Sequence, residues 1–291
     1  MDELTEVAQA EEDNRRVSIK RLGDTISLAQ DFFDAHSKLM DLLGETKASS
    51  AEALEVTAVL LLAVRYQLVI GALAVLRAQH TDAMQTLRRA VELAAFAHRM
   101  HASPELRDVW MRAEDDQETY RRYRKEFRAD LLFPDDDALL QGLYDRYRRG
   151  SGALHSSVAS LSHRLTIGME GERRVVVHNY FEFTEGDAAE PARTFLYLID
   201  THYGILRLFT KILGAQLEPV KDQWDLRMNA LAVKLDLHKR RWAPTFGVSQ
   251  PSATWAACSR PTPGRLAGSP ARSSWAMSSD GSTPPAGGRS R

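Results

Sequence analysis

Apolar residues recur at spacings of three and four almost everywhere before residue 165, the period of amphipathic helices rather than strands. The pattern predicts a first helix from about Arg15 to Leu43, with Leu22, Ile26, Ala29, Phe33 and Met40 along one face, behind a flexible acidic N-terminus over residues 1–14. Ser49-Ser-Ala-Glu52 has the form of a capping box and opens a second helix that runs to about Arg77. Gln79-His80-Thr81-Asp82 interrupts the apolar pattern, and Thr81 or Asp82 is placed to cap a third helix ending near His101. Ser103-Pro104, a serine ahead of a proline at the first helical position, starts a fourth helix expected to reach about Ala129. Phe133-Pro134-Asp135 restarts the chain for a fifth helix to about Arg148. Gly150 and Gly152 then separate it from a sixth that ends near Leu165.

The period changes after that. β-Branched residues on either side of a glycine turn predict a small hairpin, an insertion over about 166–183. Glu190-Pro191 opens a long apolar helix, Ala192 to Leu213, stopped by Gly214, and a last helix spans about Glu218 to Arg241. Residues 242–291 are Ser, Pro, Gly, Ala and Arg with no apolar period, which predicts disorder. The same mixture resembles a GC-rich gene read out of frame, and both a genuine tail and an out-of-frame product stay open. The expectation is an all-α helical bundle of about seven or eight helices. It forms a single domain over 15–241, with a small β-hairpin insertion and a disordered C-terminal tail.

Composition narrows the function classes. The 291 residues carry 38 basic and 39 acidic side chains, a net charge of −1, so any nucleic-acid contact must come from a local patch. The only cysteine, Cys258, falls in the tail. The body therefore lacks a disulfide, a zinc-thiolate site or a cysteine nucleophile, which suits a reducing cytoplasm. The acidic N-terminus lacks the basic-then-apolar order of a secretion signal. Val56 to Leu76 is the most apolar stretch, but Arg65 and Gln67 sit at its middle. In a bilayer the arginine alone would cost about 3 kcal/mol, so a buried core helix is expected and no membrane span. His98 and His101 share a helix face, yet no further ligand completes a zinc motif, so neither a metal nor another cofactor is expected. Phosphate-binding, dinucleotide-binding and nucleophile-elbow glycine motifs are absent from the sequence.

Candidate chemistry lies in two segments. Arg149 and His155 flank Gly150-Ser-Gly-Ala-Leu154, and the expected helix break puts them near a helix N-terminus. There an arginine fork can hold a phosphate, a histidine can move a proton, and the N–H groups of Gly150, Ser151 and Gly152 can approach an anion. Arg–His pairs with this range of spacing arise about three times by chance at this composition and three occur, so context rather than spacing carries the case. Arg148 and Ser151 extend the phosphate-binding set, as do Arg88, Arg89 and Glu92 on the third helix. Arg88 and Glu92 can pair at i, i+4, either as a plain surface ion pair or with Glu92 orienting Arg88 or Arg89 toward a phosphate. His155 has a plain reading too, as a capping or core-edge histidine. The Arg/Tyr-rich stretch Tyr120 to Arg128 reads either as an RNA contact or as a solvated amphipathic face.

An apolar helix, a short polar break and Leu87-Arg88-Arg89-Ala90-Val91-Glu92 are followed by Tyr147-Arg-Arg-Gly150-Ser151-Gly-Ala-Leu-His155. This order resembles an uncharacterised bacterial helical family that is similar to the HEPN superfamily, over about residues 52–165. The resemblance implies a metal-independent RNase or RNA-binding module in bacterial stress or phage defence. It further implies a homodimer that brings two Arg149/His155 pairs together, with His155 near the ribose 2′-hydroxyl and Arg149 on the scissile phosphate. This chain has Gly150 where the superfamily's catalytic motif carries a polar residue. The alternative is a non-catalytic helical interaction or scaffold protein.

Overall fold

Helix α1 (Glu3–Gly44) begins well ahead of the expected Arg15. The Asp2 carboxylate accepts the Thr5 N–H at 2.9 Å, Glu3 and Glu6 sit in the first turn, and Glu12 holds both Arg15 and Arg16 one turn on. Negative charge at a helix start and pairs at i, i+3 and i, i+4 favour the helix, so residues 3–14 extend α1 rather than forming a flexible lead. The computed structural model describes residues 2–44, 51–154, 165–170, 173–178, 181, 189–242 and 274–275. The capping box at Ser49 and nearly all of the expected tail lie outside these residues.

Helix α2 (Ala51–Leu76) buries Leu60, Leu61, Val64 and Leu68 but leaves Val59, Leu62, Tyr66 and Leu73 exposed, so it is core on one face only. Helix α3 (His80–His101) starts with Gln79 in the capping position, and Thr81 and Asp82 are already helical. The single helix expected to Ala129 is three: α4 (Pro104–Met111), α5 (Gln117–Glu126) and α6 (Ala129–Leu132). Ser103 caps α4 as expected, accepting the Leu106 N–H at 3.3 Å. The break follows from Asp116, whose carboxylate caps a new helix by accepting the Thr119 N–H at 2.8 Å. Helix α7 (Ala138–Leu154) is capped by Asp137, which accepts the Leu139 and Leu140 N–H groups at 3.0 and 3.1 Å.

Strands β1 (Leu165–Glu170) and β2 (Arg173–His178) form the expected hairpin, antiparallel with Leu165 opposite His178. Two residues of the tail, β3 (Ser274–Trp275), pair with the other edge of β2. Helices α8 (Ala189–Ile212), α9 (Gly214–Leu217) and α10 (Lys221–Arg241) complete the all-α fold. Eight helices of eight residues or more are present among the described residues.

The centre is α3, packed by α2, α7 and α8. Its buried Ala90, Ala94, Ala95 and Ala97 keep its surface low, which lets neighbouring helices approach closely. Gly71 of α2 serves the same approach: a Cβ there would stand 2.7 Å from Thr86 Oγ1 of α3. Two fully buried histidines tie α1 and α8 to α2. His36 Nε2–H donates to the Leu61 carbonyl at 2.9 Å, so its Nδ1 accepts from His202 Nε2–H at 3.0 Å. Burial, aided by the charge of Arg65, pushes the His36 pKa down to about 4; burial and the neighbouring His36 hold His202 well below the usual histidine range.

Candidate functional site: a basic pocket on α7

Where a helix break was expected, α7 runs straight through Gly150, Ser151 and Gly152 to Leu154. Arg149 therefore sits in the C-terminal part of a helix instead of near an N-terminus. The N–H groups of the three residues after it are spent on the helix's own carbonyls, and the dipole there disfavours an anion. His155 lies outside the described residues. The glycine has a packing cause: a Cβ at Gly150 would stand 2.6 Å from Arg88 Cβ and 2.8 Å from the Met84 carbonyl oxygen. Gly150 lets α7 cross α3 in contact, and that contact holds the helix together where local propensity argues for a break.

Arg88 and Ser151 are brought together, but around α7's own chemistry. Arg88 Nε donates to Ser151 Oγ at 2.9 Å and its Nη2 to the Tyr147 hydroxyl at 2.9 Å. Its guanidinium also stands 4.7 Å from the Tyr147 ring centroid, and Ser151 Oγ donates back to the Tyr147 carbonyl at 2.9 Å. Glu92 pairs with Arg89 at 2.7 Å and not with Arg88. Both Arg89 and Glu92 act electrostatically on Tyr123 of α5, whose hydroxyl burial keeps protonated. Arg148 is exposed, 5.9 Å from the Tyr144 ring. In the Arg/Tyr-rich stretch, Tyr123 and Phe127 dock on Phe96 at 6.3 and 5.0 Å, while Arg121, Arg122 and Arg124 remain on the outer side.

Two residues apart on a helix are about 200° apart around its axis, so Arg149 points away from the Tyr147 and Arg88 side. It faces a pocket of about 510 Å³ formed with α8 and α10. The lining carries Arg146, Arg149, Lys239 and Arg240 against Asp145 and Asp200, an excess of cations. Asp200 accepts from Arg146 Nη2 at 2.6 Å and from Lys239 Nζ at 2.5 Å, which fixes both cations across the pocket. The Arg149 guanidinium lies 5.6 Å from the Tyr197 ring centroid, within cation–π range, and meets no carboxylate among the described residues. The Tyr197 hydroxyl and Arg146 Nε are buried with no hydrogen-bond partner among the described residues. Burial raises the Tyr197 pKa, tempered by Arg149 and Arg146, so the hydroxyl stays a donor. A pocket with a fixed pair of cations and a further open arginine has the chemistry to receive an anion.

Of the residues expected to bind phosphate, the pocket contains Arg149 alone. Asp200, Tyr197, Arg146 and Lys239 were not singled out in the sequence. Their signal was Asp200, a lone acid in the apolar run Thr194 to Leu213, which in a core helix requires a cationic partner. No protein-family model, no curated protein and no solved structure matches the chain.

Proposed function

We propose that this chain is a helical RNA-binding module that engages the phosphate backbone at the α7/α8/α10 pocket. The observation that carries the reading is Arg149, an exposed guanidinium steadied on Tyr197 beside the Arg146–Asp200–Lys239 group. A planar fork of this kind gives a phosphate two parallel hydrogen bonds, and the paired Asp200 keeps the surrounding cations oriented before the ligand arrives. The resemblance to HEPN proteins adds the ribonuclease version, in which His155 transfers the proton at the 2′-hydroxyl and no metal takes part.

The test is binding and cleavage of single-stranded RNA by the full chain in EDTA, with Arg149→Met and His155→Ala alongside. Binding that falls with salt and weakens at least tenfold in Arg149→Met, at unchanged melting temperature, supports the module. Cleavage that disappears in His155→Ala supports the ribonuclease. Binding that is absent, or indifferent to Arg149→Met, overturns the reading. One observation favours the rival, a non-catalytic helical interaction protein: Gly150 to Gly152 are helical and offer an anion no backbone N–H. On that reading His155→Ala lowers stability and changes no activity.

A further inference from the structure

Among the described residues, helix α2 leaves an apolar face uncovered. Val59, Leu62 and Tyr66 are more than half exposed at 55%, 54% and 63%, Leu73 is exposed at 39%, and Val69 and Ile70 are half-buried beside them. These positions follow one line along the helix at spacings of three and four, opposite the side that packs on α3, α1 and α8. Four large apolar side chains in one exposed row are the kind of surface that interaction sites present.

The face is symmetric about Tyr66. Val59 and Leu73 lie seven residues to either side and Leu62 and Ile70 four, and all are apolar. Glu55 and Arg77 lie eleven residues to either side, about 16 Å along the axis, and within about 20° of Tyr66 around it. The ends of the row are thus opposite in charge, and among the described residues Arg77 meets a carboxylate of its own chain only at 3.9 Å, on Glu11. A face that is apolar in the middle and opposite in charge at its ends is complementary to a copy of itself turned end for end.

We infer that α2 is the contact between two copies of this chain, packed antiparallel about a two-fold axis beside Tyr66. Val59 of each copy then lies near Leu73 of the other, Leu62 near Ile70, and Glu55 near Arg77. Residues 59 to 73 span about 21 Å, so each copy contributes an apolar centre with a charged rim, the anatomy of a specific interface. A dimer through α2 differs from the one the HEPN resemblance implies, which joins the Arg149 and His155 segments, and it is independent of what the pocket binds.

The experiment uses the full chain. Light scattering and sedimentation give a concentration-dependent dimer, and Leu62→Glu weakens it about a hundredfold without lowering the melting temperature, because position 62 is already exposed in one copy. In a Cys258→Ser background, oxidised Tyr66→Cys forms a disulfide-linked dimer, since residues on the axis meet their own copies. Val59→Cys does not, because antiparallel packing sets its two copies about 21 Å apart along the helices. The inference is overturned by a monomer up to tens of micromolar, by a dimer indifferent to Leu62→Glu, or by cross-linking of both cysteine variants alike, which means parallel packing. A monomer that instead binds anionic lipid vesicles through α2 overturns it as well.

Discussion

Helix α7 meets two arginines on opposite sides, and they are used in opposite ways. Arg88, reaching across from α3, spends its donors on Ser151 and Tyr147 and lies against a ring 4.7 Å away. Arg149, on α7 itself, rests on the Tyr197 ring and turns into a pocket where no carboxylate meets it among the described residues. The first arginine is part of how the helices are joined, and the second is left for something else. A guanidinium is assigned by its neighbours: Arg88 is held by hydrogen bonds to two side chains of α7, whereas among the described residues Arg149 has only a ring beneath it.

The largest effect that sharpens this contrast belongs to the most enclosed polar group, the His36–His202 pair. Both rings are neutral in the folded protein, and His36 titrates at about 4 against 6.5 in the unfolded chain. Between those values the unfolded state binds more protons, so stability is full above pH 6.5 and falls as the pH falls toward 4. For His36 alone the loss approaches about 3 kcal/mol. His98, His101 and His238, also lowered by burial, act in the same direction. Denaturant titrations from pH 7 to pH 5 check this, and a flat profile there would refute it.

Gly150→Ala comes next, at about 2 kcal/mol of destabilisation, because the added methyl group meets the Arg88 Cβ and a backbone carbonyl, neither of which can swing aside. If stability is unchanged, α3 and α7 are not in contact at that point. Arg88→Met is expected to cost about 1–2 kcal/mol, since it removes two hydrogen bonds and leaves the Tyr147 hydroxyl without its donor. Arg149→Met, the same change on the other side of the helix, is expected to stay within about 0.5 kcal/mol of the parent. Equal losses from the two arginine variants would erase the distinction between a closed face and an open one.

Much of the helical architecture was legible because burial imposes a period on the chain. The stripe on α1 emerges where periodicity put it, the long apolar stretch from Ala192 forms most of α8, Ser103 and Pro104 start α4, and the β-branched runs form the hairpin. The misses share a cause. Asp116 divides a helix that apolar spacing carried through, because a carboxylate cap competes with the helix interior. The propensity of Gly150 and Gly152 favours a break, whereas the α3 crossing makes Gly150 necessary inside a helix. Of the candidate site, the sequence points to Arg149 alone: Tyr197, Asp200 and Lys239 lie about 50 to 90 positions further along the chain with no local spacing to relate them, and Arg146 is distinguished only by its pair with Asp200.

The sequence by itself determined the helical class, most helix positions and the small hairpin, because each depends on residues within a few turns of one another. Only the tertiary structure decided which side of α7 faces α3, and hence that Arg88 and Ser151 join helices while Arg149 opens on a pocket. It also decided that two distant histidines share one proton-poor site and that, among the described residues, one face of the most apolar helix is left uncovered. Those outcomes depend on how close two helices can come, which glycine and alanine fix at the crossing points and which no local pattern reports.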